Sequence, residues 1–190
     1  MSIAFGVYSN ILEFLTCIKY TVENKLDIKQ YNEIMDDKGF CIVKSNKGSE
    51  ILNILIIGID NIKSSDIIKM LNHIHEKSDI YTVKNNKLSS NIVNKIYELR
   101  GQIIYKNLES ICFLVDIRNH VLVPKHEICS EKEKEEVKLE NYITSFANIP
   151  HIFVTDPQIV WINGKVGDLI KITRNDYHGK ILTYRIVIPN

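Results

Sequence analysis

The chain has no Cys-x-x-Cys: Cys17, Cys41, Cys112 and Cys129 stand far apart in its 190 residues. That spacing speaks against a zinc knuckle and a dense disulfide framework, and it fits a reducing compartment. A basic excess is missing too. The formal net charge is +1; residues 1–118 hold fifteen Lys/Arg against fourteen Asp/Glu, and 119–190 hold nine of each. Proteins that grip phosphate backbones alone draw most of their affinity from surplus cations, so autonomous nucleic-acid binding is disfavoured, a local patch remaining open. The longest apolar run, Ile54-Leu55-Ile56-Ile57-Gly58-Ile59, is far short of a membrane span. The N-terminus lacks a basic leader region and is interrupted by Asn10 and Glu13, so no signal peptide is read. These absences predict a soluble, intracellular protein without a membrane partner. No G-x-S-x-G, P-loop or G-x-G-x-x-G occurs, and Gly164-x-x-Gly167 is too short to cradle a phosphate. Arginine is scarce while Ile, Asn and Lys are plentiful, which reflects an AT-rich genome and says nothing of fold.

What is present is an ordinary globular composition, 45% hydrophobic and 25% charged, with length enough for one domain or two small ones. Apolar side chains at Tyr8, Ile11, Leu12, Leu15, Ile18 and Val22 predict a helix over 5–23 with one buried face. A second helix runs from an Asp27 cap to about Met35, with Gly39 after its end. Phe40–Val43 and Ile51–Ile59 read as strands around an Asn46-Lys47-Gly48 turn. Then strands and helices alternate. Ser64 or Ser65 caps a helix with Ile67, Ile68, Leu71 and Ile74 inward, and Ile80–Val83 is a strand. Ser89 or Ser90 caps a helix with Ile92, Val93, Ile96 and Leu99 inward, and Gln102–Tyr105 is the next strand. Alternation at this spacing predicts an α/β N-terminal domain, 1–118: a small parallel or mixed sheet with flanking helices. Polar Asp116 to Asn119 mark the boundary to an α+β C-terminal domain, 119–190.

The C-terminal domain opens with a short extended piece, Val121-Leu122-Val123-Pro124. Ser130 followed by Glu133 is a capping box, so the charged run through Lys138 starts a helix with acids near its positive end. The last forty residues are the densest in local signals. Thr155-Asp156-Pro157 pairs a cap with a proline at the first helical position and starts a short helix, Gln158 to Ile162. Val166-Gly167-Asp168 supplies a tight turn. Leu169–Arg174 and Ile181–Ile188 alternate in period two and close an antiparallel hairpin across Asn175–Gly179. On that ribbon Lys171, Thr173, Thr183 and Arg185 are expected to share a polar face, either solvated or docking a partner.

Catalytic readings are weak. His73 and His75 stand two apart, which on a helix points them away from one another. Glu136-Val137-Lys138, with Asp116 upstream, matches half of a nuclease metal site, but such a site needs a sheet strand, and here the triplet sits in alternating Glu and Lys, the mark of a solvated helix.

Taken in order, Leu122-Val123-Pro124-Lys125-His126, the capped acidic helix, Ile149-Pro150-His151-Ile152, Thr155-Asp156-Pro157, Gly167-Asp168-x-x-Lys171-Ile172-x-Arg174 and Thr183-Tyr184-Arg185 form a recognisable series. It resembles the C-terminal assembly domain of the fifth common subunit of DNA-directed RNA polymerases, a family with archaeal as well as eukaryotic members. Eukaryotic versions carry an α/β domain ahead of the assembly domain and archaeal ones lack it. The resemblance thus covers the whole chain, by motif in the last third and by architecture elsewhere. The family usually has Glu at Lys125, Arg at His151 and Ala-Arg-Tyr at Ile159-Val160-Trp161, and a hairpin turn one residue longer. Val160-Trp161-Ile162-Asn163-Gly164-Lys165 is more similar to versions from large DNA viruses that transcribe in the cytoplasm.

The resemblance implies a non-catalytic subunit of a hetero-oligomeric DNA-directed RNA polymerase. Its C-terminal domain would dock on the largest subunit, and its N-terminal domain would form part of the lower jaw near downstream DNA. The docking residues it implies are Pro124, His126, Asp156, Pro157, Gly167, Asp168, Lys171, Arg174, Tyr184 and Arg185, with Asp168 closing its own turn. No cofactor is expected in this chain, Mg and Zn belonging to other subunits. The location implied is the host cytoplasm and virion for a viral form and the nucleus for a cellular one. Two other classes stay open: a stand-alone Mg-dependent nuclease on the α/β domain, and an adaptor of another complex.

Overall fold

The computed structural model describes residues 4–75, 77–118, 120–143, 145–177 and 179–189. The chain divides into two compact units, Met1–Val115 and Asp116–Asn190.

The first unit begins with α1, Phe5–Cys17, whose Val7, Tyr8, Ile11, Phe14 and Leu15 are buried. The helix is shorter than the 5–23 periodicity predicts. Tyr20 N–H donates to the Leu15 carbonyl and Lys19 N–H to the Thr16 carbonyl, with Lys19 at φ 66: the two bonds of a Schellman stop. The chain turns there, and Thr21–Val22 becomes β1, so Val22 belongs to the sheet. Helix α2, Ile28–Lys38, starts on the Asp27 carboxylate, which accepts from Gln30 N–H at 2.8 Å, and stops at Gly39, φ 71. A Cβ at Gly39 would meet Ile59 Cγ1 at 2.7 Å, so glycine is required there twice over.

Strands β2, Phe40–Lys47, and β3, Glu50–Ile57, form an antiparallel pair. Helix α3, Ser64–Leu71, leads to β4, Asp79–Lys84, and α4, Ser90–Arg100, leads to β5, Tyr105–Glu109. The order is β1-β2-β3-β4-β5, with β3/β4 and β4/β5 parallel: a mixed sheet whose parallel half is reached through helical crossovers. Leu55, Ile57 and Ile80 pack with Ile67, Met70, Leu71, Ile74, Ile92 and Ile96 of the crossover segments. The alternate residues Leu52, Ile54 and Ile56 are buried as well, so β3 reads as a continuous apolar run because both its faces are covered.

Several local expectations shift. In α3 the residue before the helix is Lys63, whose N–H donates to Asp66 Oδ2 at 3.0 Å; Met70 takes the core position expected of the exposed Ile68. Leu99 of α4 is exposed as well. Strand β5 starts three residues late, because Ile104 N–H is held by Asp79 Oδ1 at 2.9 Å and parallel pairing begins at Tyr105.

The second unit has β6, Lys125–Ile128, α5, Glu131–Glu140, β7, His151–Phe153, α6, Pro157–Trp161, β8, Leu169–Asp176, and β9, Gly179–Ile188. Its sheet runs β6-β8-β9-β7, antiparallel except for β7 beside β9. Val121–Pro124 forms a turn, not an extended piece, with Val123 N–H donating to the His120 carbonyl at 2.9 Å. The hairpin pairs out to Asp176 opposite Gly179, so its turn is tighter than Asn175–Gly179; His178, within that turn, and Asn119, at the expected boundary, lie outside the described residues. Two small cores flank this sheet. Cys129, Val137 of α5, Ile149 and Leu169 fill one; Ile159 of α6, Ile170, Ile172 and Val187 fill the other. With α6 go Val160 and Trp161, the largest fully buried side chain among the described residues.

Candidate functional site

The C-terminal unit places the implied docking residues in four groups. At the start of α6, Asp156 accepts from Gln158 N–H at 2.8 Å and Pro157 occupies the first helical position, where no N–H is needed. Both are thus occupied in starting the helix whose Ile159, Val160 and Trp161 are buried.

The second group is the turn into β8. Gly167 has φ 91, and its N–H donates to the Val187 carbonyl at 2.9 Å. Asp168 accepts from Lys165 N–H through its carboxylate at 2.7 Å and from Val187 N–H through its carbonyl at 2.9 Å. The carboxylate therefore closes its own turn.

The hairpin supplies the third group, and here the expected shared face fails. In the observed register Lys171 lies opposite Tyr184 and Thr173 opposite Leu182, whereas Arg185 lies opposite Ile170 and Thr183 opposite Ile172. Residues directly opposite in an antiparallel pair point to the same face. Lys171 and Thr173 therefore face the α5 side, while Arg185, Thr183 and Arg174 share the face of Ile170 and Ile172. Lys171 is not waiting for an outside acid. Its ammonium donates to Glu133 Oε1 of α5 at 2.7 Å. Glu133 also accepts from Ser130 N–H at 2.8 Å, so one carboxylate caps α5 and ties it to β8. The Lys171 ammonium first, and the Ser130 N–H next, hold that carboxyl down at about 2, and Glu133 in turn raises the Lys171 pKa. Tyr184, half-buried against Cys129, Val137 and Leu169, has its phenol pushed up by burial. Arg185 Nη1 donates to the His151 carbonyl at 2.9 Å, linking β9 to β7.

The fourth group lies at the open end of the sheet. His126 Nδ1 is 2.8 Å from the Pro124 carbonyl, and Pro124 and Arg174 both line a groove of about 620 Å³ beside the hairpin.

Two participants, Arg118 and Glu133, carry no local signal of their distant partners. Arg118 forks onto Asp116, at 2.8 Å from Nε and 2.6 Å from Nη2, and its guanidinium stacks over Trp161 at 4.2 Å from the ring centroid. That Arg118 fork also holds the Asp116 carboxyl below its usual range. Asp116 and Arg118 could be paired by proximity in sequence; the Trp161 contact could not. Glu133 was legible only as a cap.

The nuclease geometry does not form. Glu136 and Lys138 lie on helix α5, bound to Lys132 at 3.7 Å and Glu135 at 2.7 Å, with Val137 turned into the core. Among the described residues no group of three or more His, Cys, Asp or Glu is placed to hold a metal ion, and no helix is long and apolar enough to cross a membrane. His73 and His75 stand beyond the end of α3, where His75 Nδ1 accepts from Lys77 N–H at 3.3 Å.

Residues 115–187 match the family model "RNA polymerase Rpb5, C-terminal domain". The chain is similar to the DNA-directed RNA polymerase subunit Rpo5 of Nitrosopumilus maritimus, 47% identical over 73 residues, which are 38% of this chain and 87% of that protein. The Rpo5 of Thermococcus kodakarensis is 42% identical over 76 residues, 40% of this chain and 92% of its own length. That of Sulfolobus acidocaldarius is 44% identical over 75 residues, 39% and 88% respectively. The family match covers the second unit up to residue 187 and leaves out residues 1–114.

Proposed function

This chain belongs to the RNA polymerase Rpb5 family, and from that premise we propose that it is a non-catalytic subunit which docks on the largest polymerase subunit through its C-terminal unit. The observation that carries the reading is the 47% identity to a small polymerase subunit along 87% of that subunit's length. The geometry supports it. The turns at Asp156-Pro157 and Gly167-Asp168 are closed by their own side chains, and Glu133 and Lys171 lock α5 to the sheet. A surface held this firmly loses little entropy on assembly.

On the same reading the first unit forms part of the lower jaw near downstream DNA, and Mg and Zn reside in other subunits. The Val160-Trp161 segment marks a copy fitted to a viral polymerase, which works in the host cytoplasm and is carried in the virion; a cellular copy works in the nucleus. Affinity purification of the tagged chain, with mass spectrometry of its partners, tests this. Polymerase subunits in equal stoichiometry are expected. A different set of stoichiometric partners overturns the reading in favour of an adaptor, and Mg-dependent cleavage by the purified chain, lost in Glu136→Ala, overturns it in favour of a nuclease.

A further inference from the structure

The groove at the open end of the second sheet has an uneven lining. Arg118, Lys125, Arg174 and Lys180 contribute four cations, and no Asp or Glu is among its described lining residues. Arg118 is neutralised by Asp116, and Lys125 reaches Glu127 at 2.7 Å across an exposed surface. Arg174 and Lys180 are exposed on the two strands of the hairpin. Val121 and Leu122 flank them at 92% and 82% exposure, an unusual display for two adjacent aliphatic side chains.

The backbone adds a direction. Strand β6 begins at Lys125, opposite Thr173, whereas β8 continues through Arg174 and Asn175 to Asp176. Among the described residues the sheet provides no strand beside that last part of β8 on its β6 side. The groove lies there, between the Val121–Pro124 turn and the edge of β8. An extended segment laid into it would continue the line of β6 and could take up the open main-chain groups.

We propose that this groove takes an extended segment of a partner polypeptide that is acidic and carries aliphatic anchors. This rests on the subunit reading and gives that docking surface a chemistry. Acidic side chains meet Arg174 and Lys180, aliphatic ones cover Val121 and Leu122, and the backbone pairs with the edge of β8. A nucleic-acid strand answers the cations but leaves the two aliphatic side chains bare, and the lining is too short of unpaired cations to neutralise a run of phosphates. A mixed acidic and apolar peptide answers both.

The test uses the full chain and three fluorescent probes: a short peptide of alternating Glu and Leu, the same peptide with Lys for Glu, and single-stranded oligo-dT. By anisotropy the Glu–Leu peptide is expected to bind roughly tenfold tighter than either other probe. Arg174→Gln with Lys180→Gln, and separately Val121→Ser with Leu122→Ser, should each weaken it several-fold while circular dichroism stays unchanged. Equal binding of the two peptides overturns the proposal. So does tighter binding of oligo-dT that ignores the Val121 and Leu122 changes. The titration uses the isolated chain, so its failure is distinct from that of the polymerase reading, which the partner set decides. In the purified assembly, a photo-crosslinker at Leu122 should attach to a net-acidic stretch of a polypeptide; attachment to nucleic acid, or no attachment, overturns the proposal.

Discussion

Lys171 and Arg185 stand on opposite faces of one β-ribbon, Lys171 across from Tyr184 and Arg185 across from Ile170. Two cations that look like one docking surface in the sequence are thus two internal fasteners. One holds α5 through Glu133; the other holds β7 through the His151 carbonyl.

The Lys171–Glu133 pair should behave as a unit within this chain. Lys171→Ala and Glu133→Ala are expected to lower the melting temperature by similar amounts, and the double variant by less than their sum, because each single change removes the same ion pair. Glu133→Ala should cost somewhat more, since it also uncaps α5. Thermal unfolding of the four proteins, followed by circular dichroism, measures the coupling; strict additivity would show that the pair does not act.

Acid should weaken this fastening in a defined window. The Glu133 carboxyl is held at about 2, below its ordinary 4.5, so the folded state prefers it ionised. A depressed carboxylate contributes its full stabilisation above the ordinary value and loses it as pH falls through the folded one. The stability difference between the native chain and Glu133→Gln is therefore expected to be constant above about pH 5 and to shrink progressively below that. Urea unfolding at a series of pH values reads it directly; a difference that grows on acidification contradicts the assignment.

Asp156 is expected to matter through α6. Removing this cap in Asp156→Ala should cost about 0.5–2 kcal/mol, while Asp156→Asn, which keeps an acceptor for Gln158 N–H, should cost much less. Equilibrium unfolding by urea separates the two. A large equal loss in both would mean that the charge and not the cap is what counts.

Trp161 anchors the second unit, and Trp161→Ala should cost about 3–5 kcal/mol. Arg118→Ala removes the guanidinium stacked on Trp161 together with its fork onto Asp116, and the lost stacking should cost about 0.5–2 kcal/mol, less than the indole. As the one tryptophan of the chain, Trp161 makes its own fluorescence the probe for the Arg118 variant, with circular dichroism for the other. Similar losses in both would show that the cation and not the buried indole dominates.

Much of what near neighbours in the chain decide could be read in advance, though not the Lys63 start of α3 or the turn at Val121–Pro124. The Asp27 cap and Gly39 stop of α2, the Ser130–Glu133 box and the Asp156-Pro157 start each involve groups within a few residues of one another. Their physics is that of unsatisfied helix-end donors and of φ > 0, and it needs no partner from elsewhere. The alternation of strands and helices likewise led to the mixed sheet. The ordered C-terminal motifs led to the family that the Rpo5 relatives show.

Tertiary structure decided what depends on which side of a sheet a residue faces. The hairpin pairs one residue away from the register that would put Lys171 and Arg185 together, and a shift of one reverses every side chain. Burial of Ile170 and Ile172 on the α6 side and of Leu169 on the α5 side fixes that register, because only one pairing buries both sets at once. The same competition stopped α1 at Lys19 so that Val22 could enter the sheet, and it turned Met70 inward in place of Ile68. The sequence by itself determined most of the elements, the caps of α2, α5 and α6, and the family. The fold alone determined which cations are consumed inside the chain and which, at Arg174 and Lys180, remain on the surface.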